Sequence, residues 1–253
     1  SYLMKKHILG LAVTMALTST AMAESYNAEI EGGLAKTDID INGADSANTY
    51  MLGGTVYFKS VETDNMPLAE AAFLNRASNV NGGIAHTTND NDDATISNIG
   101  AEWYIANTNF YTALNFVKID GDGLDGDALI GTVGYMPIDG LLLTTSIADE
   151  GGYEPNIDVK YVAQLSGGTA LGLHGGITDS DGSTFYNAGV DYYFTPATSI
   201  GIEYDDVTGI DGVDLSETTI NGKHFFSEAI YVGAYYSNTD FTDTLGVNAG
   251  IRF

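Results

Sequence analysis

The sequence predicts an all-β fold, a transmembrane antiparallel up-and-down β-barrel of about 14 strands, with 12 as the alternative count. Three observations predict it. Apolar and polar side chains alternate at period two through most of the chain, as a strand with lipid on one face and water on the other requires. The connections alternate as well, one short and neutral, the next acidic. Composition agrees: 31 Gly, 4 Pro, 16 Tyr and 10 Phe in 253 residues suit many strands joined by tight turns, and the lack of Cys removes disulfide and thiol chemistry.

The N-terminus comes first. Met4, Lys5, Lys6 and His7 make a basic start, Ile8 to Leu17 an apolar run, and Ala21-Met22-Ala23 a small-x-small cleavage pattern. Residues 1–23 are therefore read as a signal peptide, with Ser1, Tyr2 and Leu3 as a short extension ahead of an initiator Met4. The apolar run is shorter than the roughly 20 residues a spanning helix needs. Residues 24–253 are expected to form a single barrel domain, since no linker or composition break interrupts them.

In that domain the alternation marks strands at about 25–36, 48–60, 79–88, 95–106, 108–119, 127–136, 140–148, 155–165, 169–178, 184–194, 198–207, 214–225, 229–237 and 244–253. The last is the clearest: Leu245, Val247, Ala249, Ile251 and Phe253 share one face, Gly246, Asn248, Gly250 and Arg252 the other. Likewise Ile157, Val159, Tyr161 and Ala163 oppose Asp158, Lys160 and Gln164, and Ile200, Ile202 and Tyr204 oppose Gly201, Glu203 and Asp205. The patterns at 79–88 and 214–225 are the weakest. An even strand number brings both termini to one side of the membrane.

The short connections are Asn107-Thr108, Pro137 to Gly140, Ser166 to Gly168 and Thr195 to Thr198, expected as periplasmic turns. The acidic ones, Asn89 to Asp93, Asp120 to Asp127, Asp149 to Glu154, Asp179 to Gly182, Asp205 to Asp214 and Asn238 to Asp243, are expected outside. One connection departs from this rule. Pro67 to Ser78 is rich in helix formers, with Pro67 suited to a first helical position, and predicts a short helix near 67–77 at the barrel base or tucked into it.

The signal peptide, the strand Gly53-Gly54-Thr55-Val56-Tyr57-Phe58-Lys59, the Pro67 to Ser78 segment and the terminal Gly250-Ile251-Arg252-Phe253 resemble the putative-porin families of marine and related gammaproteobacteria. The resemblance spans essentially the whole chain. It implies the outer membrane of a Gram-negative bacterium, contact with its lipid and lipopolysaccharide, and passive diffusion of small hydrophilic solutes. The terminal Phe253 resembles the signal by which the barrel-insertion machinery recognises its substrates. General trimeric porins constrict the lumen with a long third loop; the Asp120 to Asp127 loop is too short for that, so any constriction must come from the wall. Homo-oligomerisation is left open.

Charge then bounds the function. The chain carries 34 acids and 9 bases, and the first 23 residues hold Lys5 and Lys6 but no acid, leaving 34 acids against 7 bases beyond them. Nucleic acid is excluded as a partner, because phosphate binding needs clustered Lys and Arg. Alternation places Glu29, Glu31, Lys59, Glu102, Asp158, Lys160, Asp191, Glu203 and Arg252 inward, so a mildly cation-preferring lumen is expected, with Arg252 beside Glu29 and Glu31 where the last strand closes on the first. Charges that merely brace the wall as ion pairs are the competing reading. A closed structural or surface barrel, serving adhesion or phage attachment without conductance, is the alternative function.

Asp120, Asp122, Asp125 and Asp127 have metal-like spacing but lack the closing Glu of an EF-hand. Loose collection of divalent ions such as calcium is expected there, and no other cofactor. His86, His174 and His224 have no partner at metal-ligand spacing in sequence, and His174 reads as an isolated inward residue between glycines. No motif joins a nucleophile to a base, so no enzyme is expected. Inward Tyr57, Tyr104, Tyr193, Tyr231 and Tyr235 could form a sugar-stacking track, while Trp103, Phe58 and Phe194 suit an interfacial girdle.

Overall fold

In the computed structural model, residues 25–40, 46–121, 125–149, 156–180, 183–208 and 216–253 are described. Residues 1–23, where a signal peptide was expected, and Asp122 lie outside them. Among the described residues fourteen strands form one closed barrel: β1 (Ser25–Ile39), β2 (Ala47–Glu62), β3 (Asn79–Thr88), β4 (Asp93–Tyr104), β5 (Phe110–Gly121), β6 (Gly126–Ile138), β7 (Leu141–Ala148), β8 (Ile157–Gln164), β9 (Ala170–Ser180), β10 (Ser183–Thr195), β11 (Thr198–Thr208), β12 (Glu217–Ser227), β13 (Ile230–Thr239) and β14 (Thr242–Arg252). Each strand pairs antiparallel with its sequence neighbours, and β14 closes on β1 from Glu29↔Arg252 to Ile39↔Thr242. Closure leaves no strand edge, which hydrocarbon could not satisfy.

The expected fourteen strands all form, including the two with weak patterns, β3 and β12. Their registers explain why. Gly82 and Gly83 dilute the alternation of β3, yet Val80 and Ile84 still face outward beside β2 and β4. The apolar faces point away from the lumen: Leu34, Ile99, Val133, Ile147 and Leu245 are each about half exposed or more, forming a continuous apolar belt. A belt of that extent is stable only against lipid.

Buried residues concentrate instead at the end that carries both termini and the short turns, the periplasmic end. The β2–β3 connection, residues 63–78, contributes Thr63, Leu68, Ala71, Phe73 and Ala77, and the strand ends around it contribute the rest. The short helix expected near 67–77 forms there, as a 3-10 turn over Leu68–Glu70 that runs into one α-turn, α1 (Ala71–Leu74). The chain reverses at either end of this segment through left-handed Asn65 (φ 58) and Arg76 (φ 50). Such a φ is uncommon for Arg, and here Nη2 donates to Asp139 at 2.8 Å and Nη1 to Asn109 at 3.3 Å, holding the conformation.

The segment enters the barrel and spans its periplasmic mouth. Leu68 packs on Phe225 and Tyr231, Ala71 and Ala77 on Tyr26 and Val61, and Phe73 on Met136, Leu142 and Val162. Its contacts thus reach both β12–β13 and β6–β8. Backbone groups dock too: Leu68 N–H donates to the Pro196 carbonyl at 2.8 Å, and the Leu68 carbonyl accepts from Arg252 Nη1 at 3.0 Å. Burying these apolar side chains contributes about 1.5–3 kcal/mol for each large one, which a polar turn of ordinary length could not supply.

Candidate functional site

The lumen wall is set by register. Because the side-chain period is two, fixing Glu29 opposite Arg252 fixes which residues of every later strand face inward. The nine residues expected inward all fall on that face, but in very different company.

Glu29 and Arg252 are held at the plug. Arg252 is almost fully buried; its Nε lies 2.6 Å from Glu29 Oε2, and its guanidinium stacks over Tyr26 and Phe225. Glu31 does not share this arginine. It sits opposite Gly250 and accepts from Tyr231 Oη at 2.6 Å and Asn248 Nδ2 at 2.8 Å. Lys59 lies at the periplasmic base, donating to the Asn75 carbonyl at 2.5 Å, and Glu102 stands between Asn79 and Ala113 in the ladder.

Asp158, Lys160, Asp191 and Glu203 converge with a residue the sequence left isolated. His174 Nε2 lies 3.4 Å from Glu203 Oε1 and Nδ1 lies 4.0 Å from Asp191 Oδ2. Sequence spacing hides this, because Lys160, His174, Gly189 and Glu203 form one cross-strand row over β8 to β11. Gly189 makes the contact possible: a Cβ there would fall 2.2 Å from His174 Nε2. The imidazole lies across the glycine to reach Glu203 on the next strand. Gly250 seats Tyr231, and Gly100 seats Asn115, in the same way. Side chains laid flat on glycines run along the wall instead of across the lumen.

The sequence also missed Glu70. It comes from the plug, accepts from Tyr193 Oη at 2.8 Å through Oε1, and places Oε2 2.7 Å from Lys160 Nζ, at ion-pair distance rather than in hydrogen-bond geometry. Lys160 Nζ also sits 4.7 Å from the Phe73 ring centroid. A stretch rich in helix formers signalled only that residue 70 tolerates a turn; its partner ninety positions away is visible only in the closed barrel.

Above this contact a cavity of about 270 Å³ is lined by Thr144, Asp158, Lys160, His174, Asn187 and Glu203. A larger one, about 590 Å³, opens at the periplasmic rim, lined by Phe58, Trp103 and Phe110 together with Lys59, Asn75 and Arg76. The aromatic track is corrected: Tyr231 and Tyr193 are buried against the plug, and Tyr57 packs edge-on against Tyr26 at 5.5 Å. These three rings hold the plug, while Tyr235 lies half-buried over Gly246 away from it. Asp120 ends β5 on the outer face, 3.2 Å from Lys118 Nζ, and Asp127 is in β6; with Asp122 outside the described residues, the four-carboxylate loop is not described as a unit.

A family profile described as "Putative general bacterial porin" matches residues 4–136 and 129–253. Among solved structures, the Acinetobacter baumannii outer membrane protein Omp33 is 25% identical, with a TM-score of 0.75 over 91% of this chain and 99% of that one. The KdgM porin (8% identity, TM-score 0.47, 88% and 99% coverage) and Salmonella typhi OmpF (10%, 0.47, 90% and 97%) also align. No curated protein sequence matches.

Proposed function

The chain belongs to the family of general bacterial porins, outer-membrane β-barrels of Gram-negative bacteria, and from that premise we propose that it is a channel for passive diffusion of small hydrophilic solutes and ions, with mild cation preference. The observation that carries the reading is the lumenal charge. Among the described residues the inward bases are Lys59, Lys160, Lys223 and Arg252, of which Lys160 and Arg252 are held in ion pairs with Glu70 and Glu29, whereas inward Glu31, Glu102, Asp158, Glu203, Asp205 and Glu217 pair with no Lys or Arg, so acid outnumbers base along the wall. Fixed negative charge along a narrow wet path raises the local concentration of cations. Acidic extracellular loops extend the same field outward and gather divalent ions beside lipopolysaccharide phosphates.

Purified, heat-modifiable protein in planar bilayers under a KCl gradient tests this. Ion steps with a reversal potential displaced toward that of potassium are expected; displacement toward chloride contradicts the cation preference. The closed surface barrel is favoured by one observation, the segment 63–78 lying across the periplasmic mouth. Persistent silence from folded protein selects it.

A further inference from the structure

We propose that the cavity beside Lys160 is a recognition site for a small zwitterion carrying one carboxylate and one ammonium, and that the solute's carboxylate replaces Glu70 of the plug on Lys160. The proposal deepens the channel reading and rests on it for its physiological role. Its basis is the mixed charge of one cavity, not an excess of acid. Lys160 supplies the cationic pole and Asp158, two residues along the same inward face, the anionic pole, with Glu203 across the cavity and Thr144 and Asn187 as neutral donors and acceptors. The two poles on β8 are about 7 Å apart along the strand, a separation that a zwitterion of a few atoms spans. The volume, about 270 Å³, lies just below the roughly 300 Å³ at which drug-sized pockets begin, so the occupant is small.

The coupling to the plug follows from who holds Lys160 now. Its ammonium is 2.7 Å from Glu70 Oε2 and faces the Phe73 ring, both from the plug, while 43% of the Lys160 side chain stays exposed and thus open to a competitor. Glu70 is the resident carboxylate of a site whose remaining walls face solvent. An incoming carboxylate makes the same contact, and its ammonium gains Asp158 or Glu203, which Glu70 cannot offer. A solute with only one of the two charges forfeits half of this exchange.

Saturation-transfer NMR on the detergent-folded protein reads the site whether or not the barrel conducts, with β-alanine as probe and propionate and ethylammonium as single-charge controls. Transfer to β-alanine several-fold above either control, abolished in Lys160→Met and reduced in Asp158→Asn, is expected; Glu70→Gln, which frees Lys160, strengthens it. Equal transfer to all three solutes, or transfer unchanged in Lys160→Met, overturns the proposal. Near-UV circular dichroism and heat modifiability establish that each variant is folded. Swelling of proteoliposomes in L-arabinose tests the channel separately: arabinose flux without β-alanine selectivity sinks the site alone, and β-alanine selectivity without arabinose flux sinks the diffusion reading alone.

Discussion

Arg252 Nε lies 2.6 Å from Glu29 Oε2 across the β1–β14 seam, and Nη1 of the same guanidinium donates to the Leu68 carbonyl at 3.0 Å. One side chain thus joins barrel closure to plug docking. Arg252→Met leaves the Leu68 carbonyl without its side-chain donor and the largely buried Glu29 carboxylate with Tyr231 Oη at 2.8 Å but no cation, and removal of one partner of a buried pair costs about 3–5 kcal/mol. Urea unfolding in lipid vesicles is expected to show that loss. Arg252→Lys recovers only part of it, since an ammonium neither stacks on Tyr26 and Phe225 nor forks between two acceptors.

Two glycines separate backbone need from open space. Gly140 turns β6 into β7 at φ +77, and a Cβ there would fall 2.4 Å from the Val162 carbonyl oxygen; Gly131 has nothing within 4 Å. Gly140→Ala therefore incurs both a left-handed backbone cost of about 1–2 kcal/mol and a clash with backbone that cannot move freely. Gly131→Ala is expected to stay within about 0.5 kcal/mol of wild type. Equal unfolding midpoints for the two variants would contradict the turn geometry.

The strands were legible because alternation is local: Leu245 to Phe253 announces its two faces without reference to any other residue, and β14 forms as expected. So was the seam, since closure of an even-stranded sheet requires the last strand beside the first. Contacts that depend on register were not. Glu31 was expected beside Arg252; the register puts Gly250 opposite it, and Tyr231 and Asn248 donate to its carboxylate. His174 has glycines at both neighbouring inward positions in its own strand, and its acidic partners belong to the next two strands. Pro67 to Ser78 announced a short helix, but its docking rests on Tyr26, Phe225 and Met136, contributed by three distant parts of the chain.

The plug sets how much of the lumen is open at the periplasmic end. Replacing residues 67–77 by a short Gly-Ser linker removes Leu68, Ala71 and Phe73 from the mouth while leaving every strand and all fourteen ladders of the barrel in place. Single-channel conductance is expected to rise severalfold, with heat modifiability retained. Unchanged conductance in a folded variant would place the resistance elsewhere along the lumen.

Trp103 is the only tryptophan, and it lies on the outer face of β4, 52% exposed and with its ring centroid 5.4 Å from that of Phe58. In lipid vesicles its emission should be quenched strongly by bromine-labelled acyl chains near the interface and weakly by aqueous acrylamide, since indole at headgroup depth contacts lipid. The reverse order of quenching would mean that the face bearing Trp103 meets water.

Lumenal position, rather than net charge, should govern ion selectivity. Glu203→Lys and Asp38→Lys make the same two-unit change, but Glu203 faces the cavity beside His174 whereas Asp38 lies on the outer face of β1, paired with Lys36 at 2.5 Å. Screening falls off over about 8–10 Å at physiological salt, so a charge on the far side of the wall acts weakly on an ion in the lumen. Reversal potentials in a KCl gradient are expected to move toward chloride in Glu203→Lys and to stay near wild type in Asp38→Lys. Raising salt to about 1 M, where the screening length shrinks to about 3 Å, should erase most of the difference between the two variants. Equal shifts from both would trace the selectivity to the field of the whole acidic protein instead of to its wall.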